Sequence, residues 1–557
     1  MTRKVIIICA GICAATTLAA QEQAKDSTLN RTVVVENQYN PEVMDAFKVN
    51  ILPKVEEPAV AKQEINYAAG IHPFAAWEVN PMKPFNPEMR QENAHRGYAR
   101  ISYGNRNNTD VKGSYLWDIT KRDRLGVMAS LYGMYGDISN LTGTQDWKSR
   151  FYRTDAALDY THDFRKVSLK IGGDFASQVF NYMPASTDLN PDAPTTTGRQ
   201  HYTLGEGYVR VASQEGQLPV EFALQSGFRS FNRKYDIYGL ASGAEKIIHT
   251  SGFIAGNINE EQQVGVGLVM DNLMYDAALK NYTLVQLNPY YTIKNDDVSL
   301  RLGAHVDVQA GHDGGVNFAP DIKLAYTFAD SYVIYVQALG GSRLNDFRTL
   351  NAMSPYWAQL SQLRTSSTPL DAGIGLKASP VSGLGFHLYG GYRITKNELF
   401  SLPGIESFAL ADATHYTYNF LLQDKAKVGY GGASISYTYK DWIDFTLQGT
   451  YYGWNTDSDN ELLLALKPEF AVGFYARSRI MKDLHIVLDY RYEGRKDIAG
   501  QSITDPINSL SVSAEYELLN RITVFARLNN LLNKNYITET GYPVQGFNVM
   551  AGISVRF

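Results

Sequence analysis

The sequence predicts an all-β protein: a transmembrane antiparallel β-barrel of about 22 strands over residues 96–557, preceded by an N-terminal extended arm. Three observations carry this. Apolar and polar residues alternate with a period of two from Gly97 to Phe557. The connections between the alternating runs are short and long by turns. The polar side of the runs carries charges that a dry sandwich core would not accept without large desolvation costs. Composition agrees, since 37 Tyr, 24 Phe and 46 Gly with 20 Pro is a strand-and-aromatic stock rather than a helical one. A bundle of membrane helices is excluded, because nothing beyond residue 20 approaches the ~20 unbroken apolar residues that a spanning helix needs. The formal charge of -5 argues against nucleic-acid binding, which calls for a basic face.

The first residues have the form of an export signal. Arg3 and Lys4 make a positive start, Val5 to Ala15 is apolar, and Thr17-Leu18-Ala19-Ala20-Gln21 offers small residues for cleavage near Ala19/Ala20. Residues 1–20 therefore read as a secretory signal peptide. Both cysteines, Cys9 and Cys13, fall inside it; Ile8 and Ile12 precede them, where a lipid-anchored cysteine would follow a small residue. Cleavage leaves a chain without cysteine and takes the formal charge to -7. Residues 21–95 differ in character. Seven of the 20 prolines lie between Pro41 and Pro87, and proline at that density breaks helices and ladders alike. One apolar run, Thr32-Val33-Val34-Val35, stands out. Ile71, Phe74, Trp77, Val79 and Phe85 offer further apolar points for docking on a barrel wall or on a partner.

Beyond Gly97 the alternation is regular. Phe547, Val549, Ala551, Ile553, Val555 and Phe557 alternate with Asn548, Met550, Gly552, Ser554 and Arg556. Val298, Leu300, Leu302, Ala304, Val306 and Val308 do the same against Ser299, Arg301, Gly303, His305, Asp307 and Gln309. So do Leu484–Tyr492 and Leu510–Leu518. Tight polar turns are expected at Thr120–Asp123, His162–Arg165, Ser213–Gly216, Lys294–Asp297, Tyr439–Asp441 and Met481–Asp483. Longer loops are expected at Met183–Arg199, Asn345–Arg364, Asn397–Thr414 and Trp454–Asn460. Arg301, Asp307, Arg491 and Glu493 then face a water-filled lumen, with His305 and His485 as solvated wall residues. An even strand count leaves both barrel ends on the short-turn, periplasmic side, beside the arm. Tyr132, Tyr135, Tyr290, Tyr291, Tyr451 and Tyr452, near strand ends, are candidates for an interfacial aromatic belt.

Phe525-Ala526-Arg527-Leu528-Asn529-Asn530-Leu531-Leu532-Asn533-Lys534-Asn535-Tyr536, then Gly541-Tyr542-Pro543 and a final strand to Phe557, resembles the C-terminal signature of TonB-dependent receptors. The resemblance implies a 22-stranded outer-membrane barrel, inserted by the barrel-assembly machinery through a terminal signal that includes Phe557. It also implies uptake of a substrate with energy delivered by TonB, and Thr32, Val33, Val34 and Val35 resemble the strand that adds to TonB by edge pairing. The departure is the plug, because the proline-rich arm lacks the pattern of the family's mixed α/β plug domain. A barrel of this size without a plug would leak, so the arm, the long loops or a partner protein must fill it.

No catalytic or metal pattern is found: there is no zincin spacing among the histidines, no Gly-x-Ser-x-Gly elbow and no phosphate loop. Asp457-Ser458-Asp459-Asn460 lacks the glycine and final Glu of a calcium loop. The expectation is a non-enzyme without cofactor, in contact with outer-membrane lipid and lipopolysaccharide. Two roles follow: transport of a substrate across the outer membrane, or a structural subunit of a larger outer-membrane complex.

Overall fold

The computed structural model describes residues 95–557 apart from 140–145, 185–197, 215, 236–242, 277–278, 313, 330, 360–362, 404–415, 441, 459 and 498–504. The expected signal peptide, the arm through Ala94 and the Thr32–Val35 run lie outside the described residues.

Twenty-two antiparallel strands of 8 to 21 residues form one sheet that closes on itself. The first, Gly97–Gly104, pairs with the last, Asn548–Arg556, with Ile101 opposite Ile553. Gly97 and Phe557 complete the seam by exchanging both backbone hydrogen bonds, at 2.7 and 3.0 Å. Closure leaves no unpaired edge in the sheet, which is what permits strands to cross lipid. At one end the connections are 2 to 6 residues long; at the other they reach 22, between Tyr332–Arg343 and Ser366–Val381. The expected turns all fall at the short end. Two of the expected long loops begin later than the sequence indicated, because strands continue to Pro403 and Thr456 before the chain leaves the sheet.

The faces separate as the period of two requires. Ile101, Leu302, Leu388, Leu447 and Ile553 are exposed on the outer wall. Trp117, Phe164, Phe328, Tyr439, Trp442, Tyr516 and Phe557 ring it near the short-turn end. The tyrosine belt holds for Tyr135, Tyr291 and Tyr451 but not for Tyr132, Tyr290 and Tyr452. Tyr291 pairs with the outward Leu302, so its neighbour Tyr290 points into the lumen, where Arg301 lies 3.9 Å over its ring. Strand residues an odd number of positions apart cannot share a face, so each tyrosine pair is necessarily split. Tyr132 shares the inward face of Arg153, its cross-strand partner.

The inner wall is a lattice of ion pairs, among them Arg100–Asp110 at 2.6 Å, Arg153–Asp155 at 2.8 Å and Arg301–Asp321 at 2.7 Å. Arg491 and Glu493 pair as well, and Asp307 accepts a hydrogen bond from the Ser342 backbone at 2.6 Å. The inward placement of these residues follows the sequence expectation. Tyrosines lie flat over glycines of neighbouring strands, Tyr335 over Gly375 and Tyr430 over Gly391, where an added Cβ would sit within 2.5 Å of the ring.

Candidate functional site at the barrel mouth

The apolar core of the protein lies at the long-loop end, where a loop crosses the opening. Asp346 starts a helix, Phe347–Met353, by accepting a hydrogen bond from the Thr349 amide at 2.8 Å. Phe347, Leu350 and Met353 recur every three residues and bury one face. Ser354 is extended, as the residue before Pro355 prefers, and ends the helix. The chain then forms a short strand, Trp357–Gln359, parallel to Asn419–Leu421. Replacing Asp346 by Ala should cost the closed loop about 1 kcal/mol, measured as faster amide exchange over residues 347–353.

This loop spans the lumen. It leaves the thirteenth strand, yet its side chains meet Trp147 at the start of the fourth, Phe180 in the fifth, Tyr202 in the sixth and Phe231 in the seventh. Nine strand positions separate the thirteenth from the fourth, close to the eleven that mark the opposite wall of a 22-strand ring. The contacts are aromatic and dry. Trp357 is fully buried, with its ring 5.1 Å from Phe347 and the Arg233 guanidinium 4.1 Å above it. Tyr356 stacks on Tyr542 at 3.7 Å and meets the edges of Phe180 at 5.2 Å and Trp147 at 5.7 Å.

Polar groups fix the lid in register. The Phe347 amide donates to both carboxylate oxygens of the buried Glu245, at 3.0 Å each. Gln178 and Asn351 pair side chain to side chain at 3.1 Å. Ser354 Oγ donates to the Thr540 carbonyl at 2.7 Å, and Arg348 donates to the Gly205 carbonyl at 2.7 Å. Satisfied pairs of this kind specify one docked arrangement rather than a general apolar collapse.

The last loop supplies the anchor. Gly541 has φ +73, and a Cβ there would lie 2.6 Å from the Asn419 side chain. The bend directs Tyr542 into the core, where its hydroxyl donates to the Thr417 carbonyl. Gly541→Ala should therefore weaken lid docking by about 1–3 kcal/mol, checked by exchange of the Trp357–Gln359 amides. The Gly541-Tyr542-Pro543 triplet, read in the sequence only as part of a barrel signature, is a component of the closure.

Residues 457–467 add a side support. Leu463 packs with Phe400 and Ala426, and the buried Lys467 ammonium lies 5.1 and 5.5 Å from the Phe400 and Trp454 rings. Burial pushes the Lys467 ammonium down to about 8, against the opposing pull of Glu398 and Glu539. An undocked loop would restore it toward ~10.4. The docked form thus holds its proton less tightly, so docking is weakest below pH 8 and strengthens as pH rises from 8 toward 10. Exchange protection of residues 461–467, corrected for intrinsic base catalysis, should rise over that interval, and Lys467→Met should remove the rise. Asp457 accepts from Lys425 at 3.1 Å and Lys427 at 3.3 Å, which hold its carboxyl below the usual range. Among the described residues no group of three or more His, Cys, Asp or Glu side chains is arranged to hold a metal.

Of the residues singled out in the sequence, Phe557 sits at the barrel seam with its ring stacked on Tyr115 at 6.0 Å. Thr32, Val33, Val34 and Val35 are outside the described residues. The lid residues Tyr356, Trp357 and Tyr542 were not foreseen; the only local signal was the Phe347, Leu350, Met353 spacing inside a long loop.

A closed 22-strand wall with an apolar exterior, a charged interior and long loops at one end defines an outer-membrane β-barrel of the large, occluded class. No protein-family model matches the sequence, and no curated protein matches it. Solved structures do match in fold. The ferripyoverdine receptor of the outer membrane of Pseudomonas aeruginosa superposes with a TM-score of 0.59 at 13% identity, over 84% of this chain and 73% of that one. The ferric enterobactin receptor of Pseudomonas aeruginosa gives 0.62 at 11%, over 83% and 81%. The copper transporter OprC gives 0.60 at 12%, over 85% and 84%. In fold the chain resembles the barrels of these outer-membrane receptors.

Proposed function

We propose that this protein is a receptor-like barrel that passes a substrate across the outer membrane, with its outer mouth gated by residues 344–359. The observation that carries the reading is a charged, ion-paired lumen beneath an apolar lid that reaches from the thirteenth strand to the fourth. The proteins similar in fold are receptors and a transporter, which supports the same class. Under this reading residues 1–20 are a signal peptide, residues 21–95 a periplasmic or luminal arm, and Thr32–Val35 the strand offered to TonB. Phe557 serves as the terminal element of the assembly signal, so Phe557→Ala should lower the yield of heat-resistant folded barrel in the outer membrane.

A second role, as a non-transporting subunit of a larger outer-membrane complex, is favoured by the density of hydrogen bonds that hold the lid. Val34→Pro separates the two, since proline removes a ladder donor from the edge strand. Loss of uptake or of growth on a nutrient supports transport through TonB. Unchanged uptake with loss of a co-purifying outer-membrane protein supports the subunit role.

A further inference from the structure

Two carboxylates lie buried where the lid begins. Glu245, near the start of the eighth strand, Ala244–Asn257, is 2% exposed, and Asp346, which caps the lid helix, is 6% exposed. Their level is past the apolar band, since Lys246, the outward neighbour of Glu245, pairs with Asp276 at 3.9 Å. The groups around Glu245 come from every side. The lid supplies the Phe347 amide, one N–H shared by both carboxylate oxygens at 3.0 Å. In the ninth strand, Gln262–Tyr275, its cross-strand partner is Tyr275, with Tyr282 of the tenth beyond. In the seventh the partner is Phe231. The nearby arginines are engaged elsewhere: Arg233 lies over the Trp357 ring, and Arg348 donates to the Gly205 carbonyl with Glu206 at 3.5 Å and Asp174 at 3.8 Å. Two residues below Ile247, His249 is paired with Asp271 at 2.7 Å.

Among the described residues, no Lys, Arg or His nitrogen comes within 4 Å of either carboxylate. The adjoining stretches outside the described residues bring no cation either, since 236–242 carries one charged residue, the acid Asp236, and 277–278 is Ala-Ala. An ionised carboxylate buried beside a second one is costly when a single amide and a tyrosine hydroxyl face it. Burial, joined by the Asp346 charge, pushes the Glu245 carboxyl well above the usual range, against the weaker pull of the Phe347 amide, the Tyr275 hydroxyl and Arg348. Undocking of the lid would return it to water and to about 4.3.

We infer that Glu245 is a proton-sensing latch: docking of the lid helix takes up a proton at its carboxyl, so the mouth closes more firmly in acid and loosens as the medium turns alkaline. The docked form holds this proton more tightly than the undocked one, so the extra stability is complete below about pH 4.3 and is lost as pH rises through the docked value. The inference rests on residues 344–359 acting as a lid, and not on what passes beneath them.

The test is amide exchange over residues 347–353 in the folded full chain in detergent, from pH 5 to pH 8 and corrected for intrinsic base catalysis. Wild-type protection should fall at least about tenfold across that interval, one proton setting a limit of tenfold per pH unit. Glu245→Gln, which keeps an acceptor for the Phe347 amide without a charge, should hold the acid level of protection throughout. Asp346→Asn keeps the helix cap and removes the second charge, so its loss of protection should begin at higher pH than in wild type. Flat protection in wild type would overturn the inference. So would a slope that survives in Glu245→Gln, because it would belong to another group such as His249. Millimolar calcium that restores protection at pH 8 in wild type but not in Glu245→Gln would also overturn it, assigning the carboxylates to a metal. Folding is scored by heat-modifiable migration, and Asp346→Asn carries the test if Glu245→Gln does not fold. Exchange reads docking directly, so the outcome is independent of whether excising the lid opens a pore.

Discussion

Excising Phe347–Gln359 and rejoining the ends with a short Gly-Ser link is expected to convert the barrel into a large, steady pore in planar bilayers. The intact chain should be nearly silent under the same conditions. The excised segment contributes Phe347, Leu350, Met353, Tyr356 and Trp357 to a core shared with the fourth to seventh strands, so its loss opens the outer mouth from wall to wall. The wall itself should survive, because the ladder from Tyr332–Arg343 to Ser366–Val381 does not depend on the segment. Folded migration on gels should therefore be unchanged. A parallel chain lacking residues 21–93 separates the contribution of the arm. If only the arm truncation opens the pore, the occlusion lies there and the lid is secondary.

Trp357→Ala is the second large effect. The ring is fully buried between Phe347, Phe231 and Tyr202, with Arg233 over its face. Truncation of such a side chain costs about 3–5 kcal/mol through lost transfer energy and the cavity left behind. Here the cost falls on lid docking rather than on the barrel, so the closed-to-open ratio should fall roughly a hundred- to a few-thousand-fold. The expected signs are frequent brief openings in single-channel records and loss of exchange protection across residues 347–359. Trp357→Phe, which keeps an aromatic ring in the site, should lose much less. If Trp357→Ala also abolishes folded migration, the lid core would instead be part of barrel stability.

The parts of this molecule that were legible in its sequence are those governed by local rules. The run Val298–Gln309 alternates over twelve residues, and a period of two assigns its faces without knowledge of any partner strand. Turns such as Lys294–Asp297 announce themselves by polar residues between two such runs. Arg301 and Asp307 followed onto the inner wall from the same arithmetic. The tyrosine pairs failed for want of it, since reading Tyr290 and Tyr291 together as belt residues ignored the pleat that separates them.

The lid was not legible because its contacts are remote in sequence. Gln178 meets Asn351 across 173 positions, and Ser354 reaches Thr540 across 186. A seven-residue helix gives too short an apolar repeat to stand out from a loop, and Tyr356-Trp357 reads as a pair of loop aromatics until Phe231 and Tyr202 are brought beside Trp357. The requirement for a closure was visible, because a barrel of about 22 strands without a recognisable plug cannot stay open. Which of the arm, the loops or a partner supplied it depended on packing that no local pattern encodes.

The most direct test of closure at the outer mouth exploits the cysteine content, since Cys9 and Cys13 are the only two in the sequence and both fall in the expected signal peptide. Gln448 faces the lumen midway along its strand, where its amide donates to the Tyr389 hydroxyl at 2.9 Å. A Gln448→Cys chain on intact cells would be treated with a bulky, membrane-impermeant maleimide, with and without the Phe347–Gln359 excision. No labelling is expected while the lid is present, and strong labelling once it is removed. Labelling at the same rate with the lid intact would show that the mouth is open and would contradict it.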